Sequence, residues 1–185
     1  MKKIGLYGGT FDPIHNGHLI LAREARERLA LDKIVFLPAR VSPHKLDRPP
    51  TDGHRRAEMI AAAITNETGF ELDTRELHRS GPSFTVDTIR EFLTEQPDVR
   101  FHYLIGEDSL ADLPAWKEAD TLVSLVQFVV LARDTGGSQP DMPVISRHIE
   151  ISSTEIRRRV AGGLSVRYLV PEAVAAIIER DTLYR

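Results

Sequence analysis

The sequence of 185 residues contains no cysteine, which excludes disulfide bonds and thiolate metal sites. It also lacks any apolar run near the roughly 20 residues that a membrane-spanning helix requires. The opening MKKIGLYGG has two lysines, but glycines soon interrupt the apolar stretch, so the pattern predicts no signal peptide. The formal net charge of −3 favours neither nucleic acid nor a membrane surface as a partner. These absences predict a cytoplasmic protein that must hold any anionic ligand with local groups.

Apolar runs and helical patterns alternate along the chain, whose length suits one domain. The predicted strands are 3–7, 33–39, 70–74, 99–106, 126–133 and 144–151, the last nearer an edge. The predicted helices are 18–30, 54–65, 83–94, 152–161 and 171–180, with broken helical pieces over 107–125. This alternation predicts an α/β fold with a doubly wound parallel sheet, in one domain over 1–185 whose residues 152–185 form a small helical part. Two segments, 41–53 and 134–143, are predicted loops.

The first motif is GGTFDPIHNGH, residues 8–18. Gly8 and Gly9 directly follow the first predicted strand, where the lack of a Cβ permits a tight turn and a close approach to a ligand. His15 precedes the next helix and His18 lies in its first turn, beside the partly positive helix end that favours a polyphosphate. The spacing is neither G-x-G-x-x-G nor a Walker A loop. Two alternatives stay open: a plain turn with capping or surface histidines, and a metal site that lacks a third ligand.

The second motif is ISSTEIRRR, residues 151–159. Ser152, Ser153 and Thr154 place hydroxyls and backbone N–H groups at a predicted helix start, and Arg157 follows one turn later. Such a set can hold the β- and γ-phosphates of a nucleoside triphosphate. An ordinary capping motif has the same residue types, so that alternative stays open.

Together, these motifs resemble the nucleotidyltransferase superfamily that carries an H/T-x-G-H sequence, here HNGH, and an I-S-S-T-x-I-R block. Over its full length, the chain resembles the bacterial nicotinate-nucleotide adenylyltransferases, through SPHK (42–45), GPSFTVDT (81–88) and GEDSLADLPAWKE (106–118). The resemblance implies a Rossmann-like nucleotidyltransferase fold and transfer of AMP from ATP to nicotinate mononucleotide, in NAD biosynthesis. It also implies Mg²⁺ bound mainly through the ATP phosphates, with no separate protein metal site.

The resemblance further implies the site residues. His15 and His18 would be catalytic and face the α-phosphate, with His18 the main transition-state stabiliser. The residues implied for ATP are Gly8, Gly9, Thr10, Phe11, Gly106, Asp108, Ser152, Ser153, Thr154, Ile156 and Arg157. The residues implied for the acceptor are Thr10, Lys45, Phe84, Thr85, Trp116 and Arg133.

Each acceptor residue has a physical interpretation. The only tryptophan, Trp116, can stack on a flat pyridinium ring, although a core-filling role is equally open. Amides around Phe84 and Thr85, at a predicted helix start, can bind the nicotinate carboxylate. Lys45 and Arg133 are candidate phosphate partners or solvated surface charges. The region 107–118 and the loop 41–53 are predicted to change shape when the acceptor binds.

Three alternative functions remain open from the sequence. Two are adenylyl transfer to nicotinamide mononucleotide or to phosphopantetheine, and the third is a non-catalytic nucleotide-binding regulator. The intact pair His15 and His18 argues against the regulator. No pattern predicts the oligomeric state, and a homo-oligomer is as open as a monomer.

Overall fold

The computed structural model describes residues 1–40, 49–132 and 142–185. Its six strands form one sheet in which every neighbouring pair is parallel, in the order β3-β2-β1-β4-β5-β6. The strands are β1 (Lys2–Gly9), β2 (Lys33–Pro38), β3 (Phe70–Leu72), β4 (Val99–Gly106), β5 (Gln127–Ala132) and β6 (Val144–Ser146). The strand order reverses beside β1, so the crevice between β1 and β4 is the place where such sheets bind ligands.

The described helices connect these strands and follow the last one. They are α1 (Asn16–Arg28), α2 (Gly53–Ile64), α3 (Thr85–Glu95), α4 (Glu107–Leu110), α5 (Ala119–Leu125), α6 (Ser153–Ala161) and α7 (Glu172–Arg180). Two 3₁₀ turns lie at Arg75–His78 and Leu113–Ala115. The predicted doubly wound α/β fold is therefore confirmed.

The hydrophobic core lies on both faces of the sheet. On one face, α1, α2, α6 and α7 share a buried cluster, to which α6 contributes Ile156 and α7 contributes Val174. On the other face, α3 and α5 pack through residues such as Ile89 and Leu122. Strand β1 serves both clusters, with Tyr7 in the first and Leu6 in the second, because successive side chains of a strand alternate between faces.

Several predicted boundaries differ from the structure. The last strand was predicted over 144–151, but only Val144–Ser146 pairs, at the sheet edge where it was expected. Helix α1 begins at Asn16, two residues before the predicted start. The 3₁₀ turn Arg75–His78 was not predicted. The predicted loops fall largely on 41–48 and 133–141, which lie outside the described residues.

Helix α2 corrects one detail of the predicted core. The apolar spacing within residues 54–65 predicts an inward face of Ala57, Ile60, Ala61 and Ile64, but the structure exposes Ala61. Arg56 is instead fully buried on the inward face. Counting apolar residues could not reveal this, because the buried position is occupied by a charged side chain.

Candidate active site

The glycine pair ends β1 at the carboxyl edge of the sheet, beside the end of β4 at Gly106. A Cβ on Gly8 would lie 2.0 Å from the hydroxyl oxygen of Tyr103, a residue of β4. Glycine is therefore required at position 8 by a close contact between neighbouring strands. The sequence predicted a tight turn at Gly8 and Gly9 after the strand, and this is wrong, because both glycines are the last residues of β1 and pair with β2. The observed reason for glycine at position 8 is packing.

The two histidines of the first motif are linked to each other. His15 is the N-cap of α1, and its Nδ1 accepts a hydrogen bond from the His18 N–H at 3.3 Å. In return, Nδ1 of His18 accepts from the His15 N–H at 3.3 Å, and the rings stack with centroids 3.6 Å apart. Because both Nδ1 atoms accept, the proton of a neutral ring lies on Nε2. The two predicted positions, His15 just before α1 and His18 in its first turn, are confirmed, and the histidines also cap the helix. His15 is buried, with 1% of its surface exposed, whereas His18 is half-buried.

The ring of His18 rests on aromatic neighbours. It meets Phe11 edge-on at 5.1 Å and Tyr7 at 6.0 Å. Phe11 is itself buried, with 3% of its surface exposed, and its φ of 49° places it in the left-handed region. The Phe11 side chain therefore packs against the His18 ring and is not open to a ligand.

The second motif begins α6. The Ser152 hydroxyl accepts from the Glu155 N–H at 3.1 Å, so this serine caps the helix. The Ser153 hydroxyl donates to the Pro13 carbonyl at 2.9 Å. Thr154 is exposed, whereas Ile156 is fully buried in the core. Of these residues, Thr154 has the side chain most open to a ligand, and Ile156 anchors the helix start.

Both motifs meet at Asp12. The Asp12 carbonyl accepts from Nη1 of Arg157 at 2.7 Å, and Nη2 of Arg157 reaches the Thr154 hydroxyl at 3.3 Å. Carboxylate Oδ1 of Asp12 accepts from the Tyr184 hydroxyl at 2.7 Å, and Oδ2 accepts from the Thr51 N–H at 3.3 Å. Burial and the nearby Asp12 charge raise the pKa of Tyr184. The start of α6 therefore lies against the loop that carries His15, as the two motifs predicted.

Helix α3 begins without a side-chain cap at Phe84. The N–H groups of Asp87 and Thr88 both bond to the Phe84 carbonyl, at 3.2 and 3.4 Å. The amides of the N-cap Phe84 and of Thr85, the first residue of the helix, are where the sequence predicted an anion site. The Thr85 hydroxyl lies 3.4 Å from the Tyr103 hydroxyl, so Tyr103 touches this helix start as well as Gly8.

A buried carboxylate supports that helix start. Glu76, 5% exposed, accepts a hydrogen bond from the Thr88 hydroxyl at 2.7 Å and another from the Ser83 hydroxyl. Nη1 of Arg79 lies 2.6 Å from the same Thr88 hydroxyl. Burial raises the pKa of Glu76, while its hydrogen bonds and the Arg79 charge oppose that rise. Sequence reasoning missed Glu76, because a glutamate in a short turn carries no signal of burial.

Trp116 follows the 3₁₀ turn Leu113–Ala115 and is half-buried. Its ring meets Tyr103 edge-on at 6.2 Å and Phe128 at 6.4 Å. The indole therefore packs on the aromatic core with one part and is exposed with another. Both predicted roles, packing and stacking on a ligand, are compatible with this position.

Of the remaining predicted residues, the structure describes Gly106 and Asp108 but not Lys45 and Arg133. Gly106 precedes α4, with nothing within 4 Å of the position a Cβ would take, and Asp108 is exposed in α4. Both lie at the carboxyl edge of the sheet. Lys45 and Arg133 lie outside the described residues. Within the described ranges, no cluster of three or more metal-binding side chains is found, and no helix is long and apolar enough to cross a membrane.

Comparison with known proteins yields consistent matches. Residues 6–159 match the cytidylyltransferase-like family. The chain is 44% identical to the probable nicotinate-nucleotide adenylyltransferase of Geobacillus thermodenitrificans, over all of this chain and 87% of that protein. It is 38% identical to the nicotinate-nucleotide adenylyltransferase of Bacillus subtilis, over 100% of this chain and 99% of that protein. The fold matches the Plasmodium falciparum nicotinic acid mononucleotide adenylyltransferase solved with NaAD, at 22% identity and a TM-score of 0.85, covering 100% of this chain and 98% of that one.

Proposed function

Because this chain belongs to the cytidylyltransferase-like family and, within it, to the nicotinate-nucleotide adenylyltransferases, we propose that it transfers AMP from ATP to nicotinate mononucleotide. The products are nicotinate adenine dinucleotide and pyrophosphate, a step of NAD biosynthesis. The observation that carries the assignment is the contact between the two motifs, in which Arg157 and Ser153 bond to the carbonyls of Asp12 and Pro13. That contact brings the starts of α1 and α6 to one loop, where one triphosphate can meet both.

The reaction requires stabilisation of charge at the α-phosphate. The acceptor phosphate attacks the α-phosphorus while negative charge grows on the equatorial oxygens and on the leaving pyrophosphate. His15 and His18 hold their Nδ1 atoms in the capping box, so Nε2 is the atom that donates to an α-phosphate oxygen. No covalent intermediate on the protein is needed, since positioned donors supply the stabilisation.

The leaving pyrophosphate is assigned to the start of α6. Thr154 and Arg157 offer a hydroxyl and a guanidinium there, and the amides of the first turn add to the positive end of the helix. Ser152 and Ser153 bind phosphate through their backbone, because their hydroxyls cap the helix and bond to Pro13. Gly8, Gly9 and the backbone of Phe11 line the opposite side.

The acceptor is assigned to the start of α3. The amide N–H groups of Phe84 and Thr85 donate hydrogen bonds to the nicotinate carboxylate, and the exposed part of Trp116 stacks on the pyridinium ring. Amide donors favour a carboxylate over a carboxamide, whose NH₂ group cannot accept a hydrogen bond. Thr10 binds the acceptor phosphate and Asp108 a ribose hydroxyl. Lys45 and Arg133 remain predicted phosphate partners.

Nucleotidyltransferases generally use Mg²⁺, and the donors present here suit an ion held mainly by substrate. Magnesium keeps several waters and binds substrate phosphates with few protein ligands. The described residues offer phosphate-binding donors at the helix starts, and among them no group of three or more metal-binding side chains is found. When bound, Mg²⁺ neutralises charge on the triphosphate oxygens. We assign it no residue of this chain.

Turnover with three acceptors tests the assignment. Pyrophosphate release is measured with ATP and equal concentrations of nicotinate mononucleotide, nicotinamide mononucleotide or phosphopantetheine. The proposal expects the highest kcat/KM for nicotinate mononucleotide. A higher value for either rival acceptor would refute it, and ATP binding without any turnover would indicate the non-catalytic regulator.

Two further expectations from the sequence remain proposals. We propose that the chain works in the cytoplasm, and both a monomer and a homo-oligomer are compatible with its sequence. Fractionation of cells and light scattering of the purified protein test them separately.

A further inference from the structure

The largest fully buried side chain in the described part of the chain belongs to Arg56 of α2. Its neighbours on the inward face, Ala57, Met59 and Ile60, are apolar members of the core. Burial lowers the pKa of the Arg56 guanidinium, and the nearby charge of Asp12 acts in the opposite direction. A charged group is buried only where its hydrogen bonds are satisfied, so its partners indicate what it does.

Arg56 binds three segments at the carboxyl edge of the sheet. Nη1 donates to the carbonyl of Thr10, just after β1, at 2.7 Å. Nη2 donates to the carbonyls of Ala39 and Arg40, just after β2, at 2.8 and 3.3 Å. Nε donates to the Thr51 carbonyl, just before α2, at 2.8 Å. One planar guanidinium thus holds together three segments just beyond the last hydrogen bond of the β1–β2 pair, which the Ala39 N–H donates to the Gly9 carbonyl.

One of these contacts extends to the acceptor helix. A trans peptide unit directs its carbonyl and its N–H to opposite sides. The Ala39 carbonyl points to Arg56, and the N–H of the same unit, that of Arg40, donates to the Ser83 hydroxyl at 3.0 Å. Ser83 precedes Phe84, the N-cap of α3. A single peptide unit therefore joins Arg56 to the helix start assigned to the nicotinate carboxylate.

The Thr10 contact extends to the phosphates in the same way. The Thr10 carbonyl is held by Arg56, so the N–H of that unit, which belongs to Phe11, is directed away from the guanidinium. Thr10 and Phe11 are the groups assigned to the acceptor phosphate and the nucleotide. Arg56 therefore sets the direction of the Phe11 N–H by holding the carbonyl of the same peptide unit.

We propose that Arg56 is a positioning residue that sets the separation between the loop after β1 and the start of α3, and so aligns the acceptor phosphate with the α-phosphorus of ATP. This inference rests on the proposed function, which supplies the two substrates to be aligned. Arg56 touches neither substrate. Arg56 affects the alignment of two bound molecules, so we expect its loss to lower kcat and not to weaken the binding of either substrate.

The test compares Arg56→Ala, Arg56→Lys and the control Arg55→Ala. Arg55 is the adjacent residue of the same helix, half-exposed and paired with Glu58. For Arg56→Ala we expect kcat to fall roughly 10- to 100-fold while each KM changes less than about threefold, because misaligned reactants lose rate and not affinity. Guanidinium chloride at millimolar concentration, which fills the vacated space, should restore part of kcat, and an equal concentration of sodium chloride should not. Arg55→Ala should keep the parent kcat.

The conservative variant separates charge from shape. Lysine carries the same charge on a single ammonium group, which cannot reach the four carbonyls together. Arg56→Lys should therefore keep a low kcat at unchanged KM, and it replaces Arg56→Ala if the alanine variant does not fold. A parent-like kcat in either folded variant would overturn the proposal. The proposal would also be overturned if added guanidinium restored the melting temperature of Arg56→Ala but left its kcat low, because the role of Arg56 would then be structural alone.

A second measurement does not depend on the acceptor. Amide hydrogen exchange is followed over residues 8–14 and 81–88 in three proteins: the parent, Arg56→Ala and Arg55→Ala. If Arg56→Ala does not fold, Arg56→Lys takes its place. We expect both segments to exchange faster in the Arg56 variant and to exchange at the parent rate in Arg55→Ala. In Arg56→Ala, guanidinium should reverse the faster exchange. Unchanged exchange in either segment of the Arg56 variant would overturn the link. A parent that turns over none of the three acceptors refutes the proposed function, and the exchange result still decides the role of Arg56.

Discussion

The nucleotide side and the acceptor side of the site are built differently. The nucleotide side joins distant parts of the chain, since Asp12 is bonded by Arg157 and by Tyr184, a residue 172 positions away. The start of α3, on the proposed acceptor side, is supported by near neighbours in the sequence, Glu76 and Thr88, and by longer links from Ser83 to Arg40 and from Thr85 to Tyr103. The junction at Asp12 therefore depends on both ends of the chain, whereas the start of α3 depends on residues from the first two thirds of it.

The largest expected effect lies on the nucleotide side, at His18. We expect His18→Ala to lower kcat about 10²–10³-fold with little change in the KM for ATP, because a donor to the developing charge is lost. His54→Ala, an exposed histidine of α2 without an assigned role, is the control. Steady-state kinetics measures both. Since the variant also loses one half of the capping box, melting curves must show that it is folded, and parent-like turnover would remove His18 from the mechanism.

Arg157 tests whether the junction of the two motifs serves binding. We expect Arg157→Gln to raise the KM for ATP roughly tenfold or more, since a charge-assisted hydrogen bond contributes about 1.5–3 kcal/mol. The matched control is Arg158→Gln, an exposed arginine of the same helix. Binding of a non-hydrolysable ATP analogue, measured by calorimetry, isolates the effect from turnover. Equal losses in the two variants would mean that net charge, not the position of Arg157, matters.

The two sides touch each other through Tyr103, whose hydroxyl meets Gly8 and Thr85. Gly8→Ala should lower the free energy of unfolding by about 1–3 kcal/mol, because its Cβ would overlap the Tyr103 hydroxyl oxygen. Adding Tyr103→Phe removes that oxygen and should recover part of the loss. Urea unfolding of both single variants and the double variant gives the coupling between the positions. Strictly additive losses would contradict a clash between these two groups.

The smallest expected effect is a pH dependence on the acceptor side. Burial raises the pKa of Glu76 in the folded chain, so the folded state binds more protons than the unfolded state just above the ordinary glutamate pKa. The contribution of Glu76 to stability is therefore complete below that ordinary pKa and is lost as the pH rises through the raised value. Glu76→Gln should flatten this part of the stability curve, measured by urea unfolding at several pH values. The parent chain at the same pH values is the reference.

Much of the nucleotide side was predictable, because its signals are local. Each signal occupies a few adjacent residues: the glycine pair at the end of a strand, the histidines at a helix start and the serines of the second motif. Their functions as caps were visible too, as alternatives, and the structure shows that Ser152 and both histidines do cap their helices. Less of the acceptor side was predictable, since the burial of Glu76 follows from the packing of its turn against α3 and not from its own sequence.

By itself, the sequence determined the order of strands and helices, the position of the two motifs and the family to which the chain belongs. Apolar periodicity and helix-start residues act over a few positions, so they can be recognised in the sequence alone. Only the tertiary structure decided that Arg56 is buried beneath Thr10, 46 positions away, and that Tyr184 reaches Asp12. Such contacts form because the folded sheet brings the ends of separate strands to one edge, and no local period of the sequence encodes that meeting.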